Sequence, residues 1–465
     1  MEFVTTIIKA LVIAFVYLIA GPALGFMIKG KDVARRITLG FMAWWLVRPP
    51  SDFTLTLYSV KSYRGHAKGF EFNFLEGIAI GLALAAILEK RKDFKWLPPG
   101  LVPYFIWILV SVVSVVAAID PIYALMPAVK FAKMSLVFLG VFSALHDERD
   151  VKALMRGFAI ALLVQLWVCL WGRYAGGGYR VTGWFEHQNP MAMWSYQIAM
   201  PILALALAKQ TSRRDMLLFF SAFGAAGLVV VLTVSRAALA ALGLGTIIVV
   251  AASFFEGFSA RKVIVTCVMI VGGTLVMLKA ADTFMARVEG AGDDSPENDL
   301  RFVLNLQSKT MLNDHPLTGI GWNNYGLANS RPLGDEYSKI LEDWEANRGR
   351  AIYPENFMQN PLTESLYWLT LAETGYPGFI AFVLFFLVIF WHSLRTSLMF
   401  WKSSLGLFFF GLLAALAISA LHGTVERVFT QTKNLTTEII LCAIVARGAY
   451  WRAEQKKLNS LRRAG

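Results

Sequence analysis

Three stretches of the sequence gather residues able to do polar chemistry. "GGGYRVTGWFEHQNP" carries Arg180, Glu186 and His187 on a glycine-rich connection, and "TVSRAALAALGLG" sets Arg236 between two apolar segments with almost no loop. "NPLTESLYWLTLAETGYPG" runs from Asn360 and places Glu364 ahead of Tyr367, Trp368 and Leu371. Asn360-Pro361 reads as a helix start, because Asn caps free amides and Pro suits the first helical position. That start puts Glu364 in the first turn, on one face with the aromatic stripe that follows. Two guanidiniums with forked donors suit phosphate oxygens better than ammonium groups do. An arginine in hydrocarbon is expensive, about 2.5–3.5 kcal/mol at a helix centre. Arg236 therefore reads either as a marker of the membrane boundary or, the preferred reading, as a fixed cation lining a polar cavity with Arg180. The glycines before Arg180 would let backbone approach a phosphate closely.

Other chemistries lack their residues. His187, His315 and His422 are scattered without metal-like spacing, and no Walker loop or Ser-His-Asp pattern occurs. The acidic run "GDDSPEND" lacks the full ligand spacing of a calcium loop and reads as a solvated turn. Cys169, Cys267 and Cys442 all sit inside apolar runs and imply no disulfide framework. No metal and no cofactor is called for.

The elements that must position these residues are membrane helices. The 465 residues are 56% hydrophobic and only 16% charged, too little polar surface for a soluble domain to cover itself. Apolar segments recur at 3–27, 38–60, 70–88, 98–118, 121–143, 153–172, 190–208, 216–234, 237–255, 262–279, 375–394, 405–421 and 435–450, each near the length a span requires. The second is interrupted by Arg48-Pro49-Pro50. The expected fold is an all-α polytopic membrane protein of about 12–13 transmembrane helices. The short alternating strands of a barrel are absent from the pattern. The first apolar run lacks a small-x-small cleavage site and reads as a retained helix.

The net charge of +12 comes from short basic loops and a basic tail, "KGKDVARR", "EKRKDFKW", "KQTSRRD", "SARK", 395–402 and "RAEQKKLNSLRRAG". They alternate with less basic connections, so their side is cytoplasmic, and no nucleic-acid partner is implied. The opposite side receives 172–189, Ser235-Arg236 and a long external stretch. The expected organisation is an N-terminal transmembrane bundle (1–280), a large periplasmic loop with short helices (281–363), C-terminal transmembrane helices (364–450) and a basic cytoplasmic tail (451–465). Within the loop, "NDLRFVLNLQSKTMLND" has helical spacing, and "HPLTGIGWNNYG" is a turn region.

"RVTGWFEHQNPMA", "TVSRAALAALGLG", "RFVLNLQSKTMLNDHPLTGIGWNNYG" and "ESLYWLTLAETGYPG", in that order, make the chain resemble the O-antigen ligase / O-antigen polymerase family of bacterial membrane glycosyltransferases. The likeness runs from about Arg180 to Gly378. It implies transfer of a glycan from undecaprenyl diphosphate to an acceptor hydroxyl on the periplasmic face of the inner membrane. The acceptor would be a lipid A-core sugar, another glycan or a protein. The family's diphosphate-binding arginines fall on Arg180 and Arg236. Its functional histidine falls on Glu364 and the next asparagine on Ser365, so this chain departs from the pattern there.

A carboxylate can do that work, since inverting transfer needs a base opposite the leaving group. Glu364 is the candidate base of a metal-independent inverting transferase, and His187 its competitor. The alternative for Glu364 is a first-turn acid favoured by the helix dipole. Tyr367, Trp368 and Arg301 are candidate glycan contacts, the two aromatics otherwise belonging to the interfacial belt. Glu373, Gly375, Pro377 and Gly378 read as a break before the next helix. A flippase of lipid-linked sugars or a non-catalytic polysaccharide-assembly protein are the rival functions. The paired inverted repeats of a transporter are not visible.

Overall fold

A computed structural model describes residues 2–49, 54–60, 63, 65–178, 180–289, 296–329, 335–348 and 362–464. Helices α1 (Glu2–Phe15) and α2 (Gly21–Ile28) are joined through a π-helical turn, and α3 (Asp32–Trp45) follows. Strands β1 (Thr54–Leu57) and β2 (Phe70–Asn73) lead into α4 (Phe74–Leu88), α5 (Leu101–Val113), α6 (Pro121–Ala144) and α7 (Glu148–Tyr174). Next come α8 (Gln188–Leu207), α9 (Arg213–Leu232), α10 (Arg236–Phe255) and α11 (Ala260–Glu289). Three shorter helices, α12 (Pro296–Asp314), α13 (Tyr325–Ala328) and α14 (Asp335–Arg348), precede α15 (Leu366–Met399), α16 (Ser404–His422) and α17 (Thr432–Ala464).

The chain is an all-α polytopic membrane protein. Among the described residues, 8 helices are long and apolar enough to cross a membrane, and Phe74–Leu88 and Leu101–Ala117 are shorter apolar helices. Of the other segments marked by hydropathy, 262–279 lies within α11 and 435–450 within α17. The apolar segment at 38–60 is not one helix. The chain leaves α3 at Trp45, where Arg48 stacks over Trp44 and Trp45 at 4.5 and 4.6 Å. Proline lacks an amide donor and disfavours helix in the residue before it, so the helix cannot continue through Pro49. Thr54–Leu57 then pairs antiparallel with Phe70–Asn73, Thr54 opposite Asn73 and Leu57 opposite Phe70. Asn73 ends that strand and starts α4. Its side chain accepts from the Glu76 amide at 3.2 Å, and Glu76 accepts from the Asn73 amide at 3.2 Å.

Contacts sort the loops to two ends of the bundle. At one end Arg35 and Arg36 bind Asp150 at 3.2 and 3.0 Å, Arg91 meets His146 at 2.9 Å, and Arg156 binds Asp215 at 2.7 Å. Glu148 accepts from Ser404 at 2.5 Å, and Arg447 pairs with Asp93. These are the basic connections singled out by sequence, drawn together. The opposite end holds the hairpin, the 175–187 connection, α12, and the turns before α6 and after α16. Lys68 pairs there with Glu186 at 2.9 Å, and Thr432 with Glu71 at 2.5 Å. Helix α8 runs between the ends with its whole span buried.

The stretch after α11 packs as a second, small core of Leu304, Met311, Ile320, Tyr325, Leu362, Leu369 and Ala372. Helix α11 continues to Glu289, past the boundary expected at 281. Of "GDDSPEND", 292–295 lie outside the described residues and the remainder opens α12. The turn 315–324 docks on a break in α15. Gly375 has φ 64° and ψ −172°, a conformation that opens the helix and that glycine adopts without strain. Ile320 N–H donates to Ala372 O at 2.9 Å, Gly321 N–H to Glu373 O at 3.1 Å, and Tyr376 N–H to Pro316 O at 2.9 Å. Glu373, fully buried, accepts from the Asn323 and Tyr325 amides at 2.9 and 3.2 Å and lies 2.8 Å from His66 Nε2. The break expected from Glu373, Gly375, Pro377 and Gly378 is thus the dock for the 315–324 turn.

The expected start of α15 at Asn360-Pro361 lies outside the described residues. The helix begins at Leu366, with the Ser365 hydroxyl accepting from the Trp368 amide at 3.4 Å and the Leu366 amide bound to Gly423 O at 2.9 Å. Glu364 is therefore ahead of the cap and not in the first turn. A helix beginning five residues earlier would leave Gly423 O without that partner.

A methyl group on Gly375 would meet Pro316 O at 2.6 Å, and on Gly224 it would meet nothing within 4 Å. Gly375→Ala should destabilise the protein by about 1–3 kcal/mol through strain at positive φ. Gly224→Ala should be neutral or better, since alanine suits a helix interior. Thermal unfolding of both variants in one detergent checks the contrast.

Candidate functional site

No helical turn holds Glu364; a cation from another element does. Its Oε2 lies 2.5 Å from Arg301 Nη2, and Arg301 stands on α12. The docked turn 315–324 brings α12 over the head of α15, and Thr363 Oγ1 to Asn305 Oδ1 at 2.8 Å secures the same junction. From the other side, Glu426 in the turn after α16 brings Oε1 to 3.9 Å from the same Arg301 nitrogen. Asn189, at the head of α8, donates from Nδ2 to that Oε1 at 2.6 Å. The Glu426 amide donates to His422 O at 3.0 Å, which fixes the turn on the end of α16. One guanidinium thus serves two carboxylates, Glu364 with its side chain 38% exposed and Glu426 with 13%.

Burial, then the neighbouring Glu364 charge, pushes the Glu426 carboxyl up to about 7, against the opposing pull of Arg301. A group with a proton affinity near neutrality can exchange protons with little driving force in either direction. The cluster can therefore gain or lose one charge at Glu426 near neutral pH.

The other sequence-derived candidates fall at the same end. Arg180 is exposed on the 175–187 connection, and Arg236 is exposed as the first residue of α10. Among the described residues neither forms an ion pair, and neither joins the Glu364–Arg301–Glu426 contact. The level of α10 is set by Gly245, where an added methyl would meet Met200 Sδ and Ile418 Cδ1 at 2.4 and 2.6 Å. Arg236, the head of α8 and the end of α16 consequently lie at one end. His187 caps α8, its Nδ1 accepting from the Asn189 amide at 3.4 Å, two residues from the group that binds Glu426. Tyr367 donates its hydroxyl to Ala420 O at 2.6 Å and packs edge-on against Phe379 and Phe382, so it joins α15 to α16. Trp368 lies under Lys309 Nζ, 5.4 Å from the ring centroid. Among the described residues no three of His, Cys, Asp and Glu are grouped to hold a metal ion.

Glu426 and Asn189 are not singled out by sequence. The available signal is "HGTVERVFTQTKN", a polar interval between the last two apolar segments. Lys433 in that interval binds the Arg48 and Trp184 carbonyls and ties it to the 175–187 connection.

Residues 217–383 match the family model described as O-Antigen ligase. The matched segment contains Arg236, Arg301, Glu364 and the Glu373–Gly375 break, and it bears out the family resemblance carried by the motifs. No curated protein matches the chain.

The Glu426 carboxyl makes stability depend on pH with a definite sign. Its proton is held more tightly in the folded state than in the unfolded chain, so stability is full below the unfolded value and falls as pH rises towards about 7. The loss should be on the order of 3 kcal/mol across that window. Glu426→Gln should flatten it, which denaturation of both proteins at several pH values would reveal.

Proposed function

Taking the O-antigen ligase domain as premise, we propose that the chain is a membrane glycosyltransferase that moves a glycan from undecaprenyl diphosphate to an acceptor hydroxyl. The observation that carries the reading is the gathering of exposed Arg180 and Arg236 with the Glu364–Arg301–Glu426 cluster at one end of a bundle whose other end is basic. Basic loops stay on the cytoplasmic side, so the cluster would face the periplasm of the inner membrane.

In this reading Arg180 and Arg236 hold the diphosphate and take up the charge that grows on it as the glycosidic bond breaks. Guanidinium groups then do what a metal ion does in other transferases. Glu364 accepts the proton of the incoming hydroxyl on the face opposite the leaving diphosphate, and the configuration inverts. The acceptor, whether a lipid A-core sugar, a second glycan or a protein, is presented from the periplasmic side. The organisation proposed is a membrane bundle that carries the donor and an external stretch that closes over the reacting ends.

Transfer from a lipid-linked glycan by the purified full chain tests the function, and a transporter or an assembly scaffold would give none. Arg180→Ala and Arg236→Ala should each weaken transfer at limiting donor by about 100-fold, with lysine rescuing only in part because it lacks the fork. Glu364→Gln should lower turnover by about 100-fold or more with donor affinity kept. Normal transfer by both alanine variants would remove the arginines from the donor site. Cysteines placed at His315 and Ser460 should label from opposite sides of the membrane, and labelling from one side would refute the orientation.

A further inference from the structure

A carboxylate in a 2.5 Å contact with a guanidinium is a poor base, because the cation stabilises its unprotonated form. Glu364 needs that cation elsewhere at the moment it receives a proton. The displacement needed is short, since the same Arg301 nitrogen already lies 3.9 Å from Glu426 Oε1. Asn189 holds that oxygen in place at 2.6 Å and the turn holds its backbone, so Glu426 is a fixed second station. We propose that Glu426 is a positioning residue which, when ionised, draws Arg301 off Glu364 and leaves Glu364 able to take the acceptor proton.

This rests on the transfer reaction proposed above. The hydroxyl O–H bond breaks with its proton going to Glu364, and the new bond forms from that oxygen to the anomeric carbon. The bond from the anomeric carbon to the diphosphate oxygen breaks, and its electron pair leaves with the diphosphate. With Glu426 ionised the three groups carry one net negative charge before the transfer and none after, so proton uptake relieves a repulsion. With Glu426 protonated, Arg301 stays on Glu364, and proton uptake there would have to break that contact with no second carboxylate drawing the arginine away. The charged groups acting on Glu426 are Glu364 ahead of α15, Arg301 on α12 and Arg427 in its own turn, with the Asn189 amide from α8. The raised proton affinity of Glu426, to about 7, puts this exchange within the physiological range.

The pH dependence of kcat, measured on the full chain in lipid nanodiscs with a lipid-diphosphate glycan, tests it. The parent rate should rise with pH through about 7 as Glu426 ionises. Glu426→Gln keeps an acceptor for Asn189 but cannot ionise. It should lower kcat by about 100-fold, leave the donor KM unchanged and abolish the rise. Arg301→Gln removes the cation to be shared, so adding Glu426→Gln to it should cause no further loss. A parental pH profile in the Glu426→Gln variant, or an equal fold-loss on both backgrounds, overturns the inference in favour of a purely structural role. A hydrophobic carbodiimide, which reacts with protonated carboxyls, should label Glu426 at about pH 6 and not at about pH 8. Equal labelling at both overturns the inference without reference to transfer. A parent chain that titrates in this way and transfers no glycan overturns the proposed function and leaves the charge exchange standing.

Discussion

The Glu373 carboxylate is buried, with both oxygens engaged by main-chain amides of the turn at 323–325. A buried acceptor of this kind cannot be released cheaply, because the amides it satisfies would be left without partners away from water. Around it, Asn323 binds the Ala67 and Tyr123 carbonyls at 3.1 and 2.9 Å, and Asn324 accepts from the Asp120 amide at 2.9 Å. One turn therefore joins α15, the hairpin connection and the start of α6. The position of α12, and with it Arg301, follows from that junction. A distant helix break thereby sets which cation meets Glu364.

The cluster itself is economical in charge. Two carboxylates, one guanidinium and one amide come from four separate elements, each fixed by main-chain bonds or packing of its own. Such a group is stiff in its backbone and soft only in the long arginine side chain. Reactive geometry held to a few tenths of an ångström needs that kind of support. The exposed arginines at 180 and 236 have no comparable support and present themselves to solvent at the same end.

Much of this is legible because membranes impose strong patterns. Hydropathy marks the helices, and the alternation of basic loops marks the two ends, since both follow from the free energy of placing residues in lipid or beside it. The helix break is also visible, as Gly375 and Pro377 have backbone reasons to stand there. Three features escape. The hairpin escapes because its first strand falls inside the apolar segment at 38–60 and its second at the head of the one at 70–88, and only Arg48-Pro49-Pro50 argues otherwise. The start of α15 is ambiguous because Asn360-Pro361 and Ser365 are both good local signals, and a tertiary bond from Leu366 to Gly423 decides between them. Glu426 passes unnoticed because its partner, Glu364, is far away in the chain, and no local spacing announces such a pair.

Helix α8 has the lowest mean hydropathy of the eight long apolar helices, 1.3, and its span is the one buried throughout. It carries Tyr196 and Gln197 in succession, and their neighbours come from the end of the chain. Tyr196 meets His422 at 2.8 Å, Gln197 binds Glu438, and Pro190 O accepts from Asn434 at 3.1 Å. During synthesis α8 leaves the ribosome long before α16 and α17 exist. Through that interval these side chains face lipid, or stay with the insertion machinery, with none of their final partners present. The finished protein hides an element that the bilayer must tolerate while it is being made. Biogenesis therefore bears on how polar this helix is allowed to be, and an early stop codon would strand it half-solvated in hydrocarbon.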